Sequence, residues 1–127
     1  RIPLFSDLPT NLLRTVLPRI ESQVMAPGET VIKQGDRGRE FYLIKSGSVE
    51  VLKTDDEGER RKVATLSAGS YFGEIALLKN VPRTATVQTA TETELYVIST
   101  EDFLRLLSGS RLFAMNLSAV GEMRLLA

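Results

Sequence analysis

The sequence predicts an α+β domain: a middle block of antiparallel strands, folded as a sandwich or barrel, with helices at both ends. Two observations carry this reading. Near both ends of the chain the apolar residues recur at helical spacing, whereas between them they come in short runs. Seven of the nine glycines (Gly28, Gly35, Gly38, Gly47, Gly58, Gly69 and Gly73) fall in that middle block, which places turns between most of the strands. At 127 residues the chain is long enough for one independent core, and it is read as a single domain over 1–127. A content of 43% hydrophobic and 25% charged residues is that of a globular chain rather than a disordered or fibrous one.

The first segment, 1–22, is helical. Leu8, Leu12, Leu13, Val16, Leu17 and Ile20 form an amphipathic set, with Thr10 as the expected N-cap and Pro18 as the point where the helix kinks or ends. Segment 23–99 holds the strands, expected at Thr30 to Lys33, Phe41 to Ile44, Val49 to Leu52, Val63 to Leu66, Thr84 to Thr89 and Glu94 to Ile98. The charged run from Asp55 to Lys62 mixes both signs and makes no net field, so it reads as a solvated hairpin tip. In segment 100–127, Thr100 is the expected N-cap of a helix with Glu101 and Asp102 in its first turn. Phe103, Leu104, Leu106 and Leu107 supply its apolar face, Ser108-Gly109-Ser110 breaks it, and Arg111 to Ala127 forms a last helix weakened by Gly121.

Composition excludes much chemistry. With no cysteine there are no disulfides, thiolate metal sites or thiol nucleophiles, and with no histidine the usual general base and commonest metal ligand are missing. No catalytic residue and no metal site is assigned, and the chain is not expected to be an enzyme. Sixteen basic residues balance sixteen acidic ones, so direct nucleic-acid binding is not expected. No apolar stretch approaches the roughly 20 residues of a membrane span. The start at Arg1, without an initiator Met, reads as a piece of a longer protein.

The informative stretch is Phe72-Gly73-Glu74-Ile75-Ala76-Leu77-Leu78 and, after Lys79 to Pro82, Arg83-Thr84-Ala85-Thr86-Val87. Gly73 permits close backbone approach, and a short helical turn directly after it leaves amides without helical partners, which suit a phosphate. An arginine takes two phosphate oxygens at once, and a carboxylate accepts hydrogen bonds from sugar hydroxyls. Arg83 and Glu74 together fit a molecule that carries a phosphate and a ribose.

This string resembles the phosphate-binding cassette (72–87) of cyclic nucleotide-binding domains. Pro27-Gly28-Glu29, Gln34-Gly35-Asp36, and Phe41-Tyr42-Leu43-Ile44 followed by Ser46-Gly47 are similar to the family's early strands and turns. The resemblance implies an eight-stranded antiparallel jelly roll with an N-terminal helix, a short cassette helix and two C-terminal helices. It implies that Glu74 accepts the ribose 2′-hydroxyl, that Arg83 neutralises the phosphate, and that amides at Gly73, Ala76 and Thr84 complete the polar shell. Ala85 and Ile75 join this ligand-binding set. Phe72 supports it, and Asp36 orients the arginine. The resemblance also implies that Ile75 packs toward Phe103 and Leu107 in a hinge helix, and that Arg124 covers the purine, with Met123 or Leu125 as alternatives. Arg39 departs from the small acidic or amide residue common in relatives.

The function implied is a regulatory module that binds a cyclic nucleotide and transmits occupancy through its C-terminal helices to an effector domain of its parent. The setting implied is cytoplasmic, including the cytosolic part of a membrane protein. Thr84 leaves the nucleotide open, because its hydroxyl suits the guanine amino group and threonine also suits a strand; cyclic AMP is slightly favoured over cyclic GMP. The rival reading is an interaction or assembly domain of the same fold with an unliganded pocket.

Overall fold

Eight strands build two four-stranded antiparallel sheets that pack face to face in a jelly roll. A computed structural model describes residues 8–111 and 113–115. The first sheet runs β1 (Glu21–Met25), β8 (Thr93–Ser99), β3 (Glu40–Ser46), β6 (Tyr71–Phe72). The second runs β2 (Thr30–Ile32), β7 (Thr86–Thr89), β4 (Ser48–Thr54), β5 (Arg60–Ser67). The helices are α1 (Thr10–Val16), followed by a 3-10 turn over Leu17–Arg19 that contains Pro18, then α2 (Glu74–Lys79) and α3 (Thr100–Gly109).

The central strand explains why there are two cores. Phe41, Tyr42, Leu43 and Ile44 of β3 are all buried, because a strand alternates its side chains and both of its faces are covered. Phe41 and Leu43 meet Val16, Ile98, Phe103, Leu106 and Phe113 under the helices. Tyr42 and Ile44 meet Val49, Phe72, Val87 and Leu95 between the sheets. Phe41 lies at the centre of the helical side, with ring centroids 4.8 Å from Phe103, 5.5 Å from Tyr71 and 6.5 Å from Phe113.

Several boundaries differ from the sequence reading. Strand β1 begins at Glu21, ahead of the expected start at 23, and β1 and β6 lie outside the six predicted runs. Four of the five β1 residues are exposed, so β1 shows no apolar alternation, and β6 has only two residues. Strand β7 starts at Thr86 instead of Thr84, which leaves Arg83 to Ala85 as a lead-in. Both N-caps move back by one residue. Pro9 occupies the α1 cap and Thr10 is the first helical residue, with no side-chain cap bond. At α3 the Ser99 hydroxyl accepts from the Asp102 amide at 3.2 Å. Past the break, residues 111 and 113–115 are helical, and the Ser110 hydroxyl accepts from the Phe113 amide. Met123, Arg124 and Leu125, with most of the predicted last helix, lie outside the described residues.

The N-terminal segment is tied to α3 by charge. The buried Asp102 carboxylate accepts from Arg19 at 3.3 Å and from Arg105 at 3.1 Å. Asp102→Ala should cost about 1–2 kcal/mol in chemical denaturation: the arginines are half-exposed and keep their hydration, so the loss falls short of a fully buried pair. Ser99→Ala should cost about 1 kcal/mol through the lost cap.

Candidate functional site

At one end of the sandwich the inter-sheet core stops short and leaves a cavity of about 140 Å³, roughly tenfold what one water needs. Its floor is Phe72 and Val87, and Ile32, Val51 and Leu66 from the sheets pack around them. Helix α2 and the Arg83–Ala85 segment close one side. Gly73, Glu74, Ile75, Ala76, Arg83, Thr84 and Ala85 all line it, so the cassette residues named from the sequence converge on one cavity.

Local geometry accounts for this convergence. Gly73 caps α2 in the left-handed region at φ 92°, where a side chain is strained. A Cβ there would also lie 2.9 Å from the Arg83 guanidinium and 3.1 Å from the Glu40 carbonyl. Asn80, at φ 52°, ends the helix, and its amide bonds back to the Ala76 carbonyl. The chain then returns so that the Arg83 amide donates to the Asp36 carbonyl and the Arg83 carbonyl accepts from the Gly35 amide, both at 2.8 Å.

The Arg83 side chain is 5% exposed, and main-chain oxygens hold it. Nη1 donates to the Gly73 carbonyl at 2.8 Å and Nη2 to the Glu40 carbonyl at 2.7 Å. Burial pushes its pKa below the ordinary guanidinium value, while electrostatic interactions with Tyr42, Glu40 and Glu74 act in the opposite direction. Arginine nonetheless keeps its charge at any physiological pH. Glu74, 1% exposed, is the second buried charge of the cavity.

Two expectations change here. Asp36 meets the arginine through its backbone, and among the described residues its carboxylate makes no hydrogen bond or ion pair; carbonyls orient the guanidinium instead. Ile75 lines the cavity, and Leu77 is the cassette residue that packs against the Phe103 and Leu107 cluster. The two positions are about 200° apart around a helix, so they cannot face the same way. Phe103 and Leu107 lie in the helical core, and Phe72 stacks on Tyr42 at 5.0 Å and 10°. Arg124 falls outside the described residues.

Sequence reasoning missed Gly38, Glu40 and Lys53. A Cβ on Gly38 would lie 1.8 Å from Arg83 Nε, so the guanidinium occupies the space that a side chain would fill. The Glu40 contribution is a carbonyl, for which no side-chain pattern exists. Lys53 lines the cavity wall, and counting alternate residues from Val49 and Val51 would have found it. Arg39, which departs from the family's pattern, is exposed, and its carbonyl accepts from the Thr100 amide at 2.9 Å and from the Thr100 hydroxyl.

Tyr42 reports on this site. Burial first, and then the Glu40 carboxylate that accepts its hydroxyl at 3.2 Å, push its pKa to about 12. A raised pKa keeps the phenol un-ionised in the folded state, so its contribution to stability is complete below about pH 10 and is lost as pH climbs toward 12. The tyrosinate absorbance that Tyr42→Phe removes should therefore be centred near pH 12 in the folded protein, and Glu40→Gln should move it down.

Comparison with known proteins agrees with this geometry. The cyclic nucleotide-binding domain family matches residues 22–110. The chain is similar to a cAMP-dependent protein kinase regulatory subunit of Yarrowia lipolytica, 42% identical over 106 residues, which are 84% of this chain and 28% of that protein. It is 38% identical over 108 residues to a cyclic nucleotide-gated channel of Caenorhabditis elegans, covering 80% of this chain and 14% of that one. The chain thus spans under a third of these relatives' length. Among solved structures, the Thermus thermophilus catabolite activator protein matches with a TM-score of 0.83 at 34% identity, over 97% of this chain and 58% of that one. The cassette, the jelly roll and the family match agree, and the chain belongs to the cyclic nucleotide-binding domain family.

Proposed function

We propose that this chain is a regulatory module that binds one cyclic nucleotide, with cyclic AMP slightly ahead of cyclic GMP. Occupancy passes through its C-terminal helices to an effector domain of the parent protein. The observation that carries the reading is the pairing of two buried charges, Arg83 and Glu74, in one apolar-walled cavity. Two buried charges of opposite sign beside an apolar wall match a ligand that carries a phosphate and a ribose hydroxyl. Arg83 takes the phosphate oxygens and Glu74 accepts the ribose hydroxyl. Gly73, Ala76 and Thr84 offer backbone donors, and the apolar strand wall takes the purine. The order of nucleotides is supported by the likeness to cAMP-dependent kinase regulatory subunits. The module carries no reaction of its own, and its setting is cytoplasmic, whether the parent is a soluble regulator or a membrane protein with a cytosolic part.

Leu77 gives occupancy a route out of the cavity, because it shares α2 with Glu74 and packs on the same cluster as Phe103 of α3. A ligand shifts α3 only by the difference in its affinity for the two arrangements.

Calorimetry with cyclic AMP and cyclic GMP tests the proposal. One-to-one binding of either is expected; no heat and no thermal shift at high micromolar ligand would sink it. Arg83→Ala should weaken binding by about 2–5 kcal/mol, and Arg83→Lys should recover little of it. The same variant orphans two carbonyls, so it should also lose roughly 1–3 kcal/mol of stability without ligand. Gly38→Ala keeps the arginine but puts a methyl where its guanidinium lies, so affinity should fall at least about tenfold and ligand-free stability should fall with it. Hydrogen exchange over 111–127 with and without nucleotide tests the transmission step, and equal protection in both states would refute it.

A further inference from the structure

The geometry points to Lys53 as the residue that balances the ligand's charge in the cavity, an inference that rests on the cyclic nucleotide reading above. Lys53 follows Val49 and Val51 at alternate positions of β4, so all three share the inner face. Val49 is fully buried in the inter-sheet core, Val51 packs against that core, and Lys53 lines the cavity. Pairing with β7 sets its place along the wall. Val51 lies opposite Val87 and Leu52 opposite Thr86, the first residue of β7, and Lys53, the next residue of β4, lines the same cavity as Arg83, Thr84 and Ala85.

The charges of the lining then decide its role. Among the described residues, three ionisable side chains line the cavity: Lys53, Glu74 and Arg83. Glu74 and Arg83 are both buried and attract each other, so their charges cancel, and Arg83 also feels Glu40. A cyclic nucleotide brings one more negative charge into a site walled largely by apolar side chains, where an unbalanced charge is costly. Lys53 supplies the missing positive charge. Among the described residues its ammonium takes part in no ion pair, so nothing else claims it. It is only partly buried, with a stem long enough to lie along the apolar wall while the ammonium keeps contact with water. From there it acts through its field, drawing the anion in and holding it, without the two-pronged contact that Arg83 makes.

The test is stopped-flow association of a fluorescent cyclic AMP analogue with the wild-type chain, Lys53→Met, Lys53→Gln and Lys53→Arg across a range of salt. The neutral variants should associate roughly three- to tenfold more slowly at low salt, and their rates should depend less steeply on salt. Lys53→Arg should keep both the rate and the salt dependence. Two neutral variants are used so that a folding defect in one, seen by thermal melting, leaves the other as the test. Neutral variants that match wild type in rate and salt response would overturn the inference. So would Lys53→Arg being as slow as Lys53→Met, since the lysine would then act by shape. Each of these results presupposes a wild-type chain that binds. A wild-type chain that binds neither nucleotide in calorimetry refutes the cyclic nucleotide reading itself, and this inference with it.

Discussion

The Arg83 guanidinium, buried and held by the carbonyls of Gly73 and Glu40, is the interaction around which the rest of the site is arranged. A buried cation needs its donors filled, and carbonyls fill them without cancelling the charge. That choice imposes sequence on its surroundings. Gly73 has no room for a side chain between the guanidinium and Glu40, and Gly38 has none because the guanidinium itself is there. The loop from Asp36 to Glu40 is fixed at three points: the Asp36 carbonyl to the Arg83 amide, the Glu40 carbonyl to the guanidinium, and the Arg39 carbonyl to Thr100. Arg83 joins cassette and loop through its side chain and its backbone, and Thr100 joins the loop to the start of α3.

The cavity follows from how the sandwich is filled. Between the sheets, Ile44, Val49, Leu95 and Val87 pack completely, while toward the cassette the lining turns to small residues at Gly73, Ala76, Ala64 and Ala85. Small side chains on facing elements leave space that no rearrangement of rigid strands closes. The apolar wall and the charged arm thus sit at one end of one core. That arrangement suits a ligand with a flat apolar part and an anionic part.

The cassette was legible because its chemistry is local. Glycine, carboxylate and arginine at fixed offsets name their own partners, and the structure gathers those residues in one cavity. The alternating burial of β3 was legible in its unbroken apolar run. What the sequence hid were features set by tertiary contact. Strand β1 shows four exposed residues, and it exists because β8 offers it an edge with five paired positions. The partners of Arg83 are main-chain oxygens, so the acidic Asp36 drew attention that belonged to the Glu40 backbone. Ile75 and Leu77 are both apolar residues of the same short helix, and only the helix orientation decides which meets the ligand space and which meets Phe103.

The division of the guanidinium's donors also bears on how a ligand is accepted. Arginine has five N–H groups in a fixed plane, and the two carbonyls use one on each terminal nitrogen. The remaining N–H groups are enough to meet phosphate oxygens while both carbonyls stay bound. Lysine has three donors on one atom and cannot serve two carbonyls and a phosphate lying in different directions. The same side chain therefore builds the site and keeps donors that a phosphate would use. A ligand that completes its hydrogen bonding stabilises the loop and cassette already attached to it, by an amount that grows with ligand concentration over the dissociation constant.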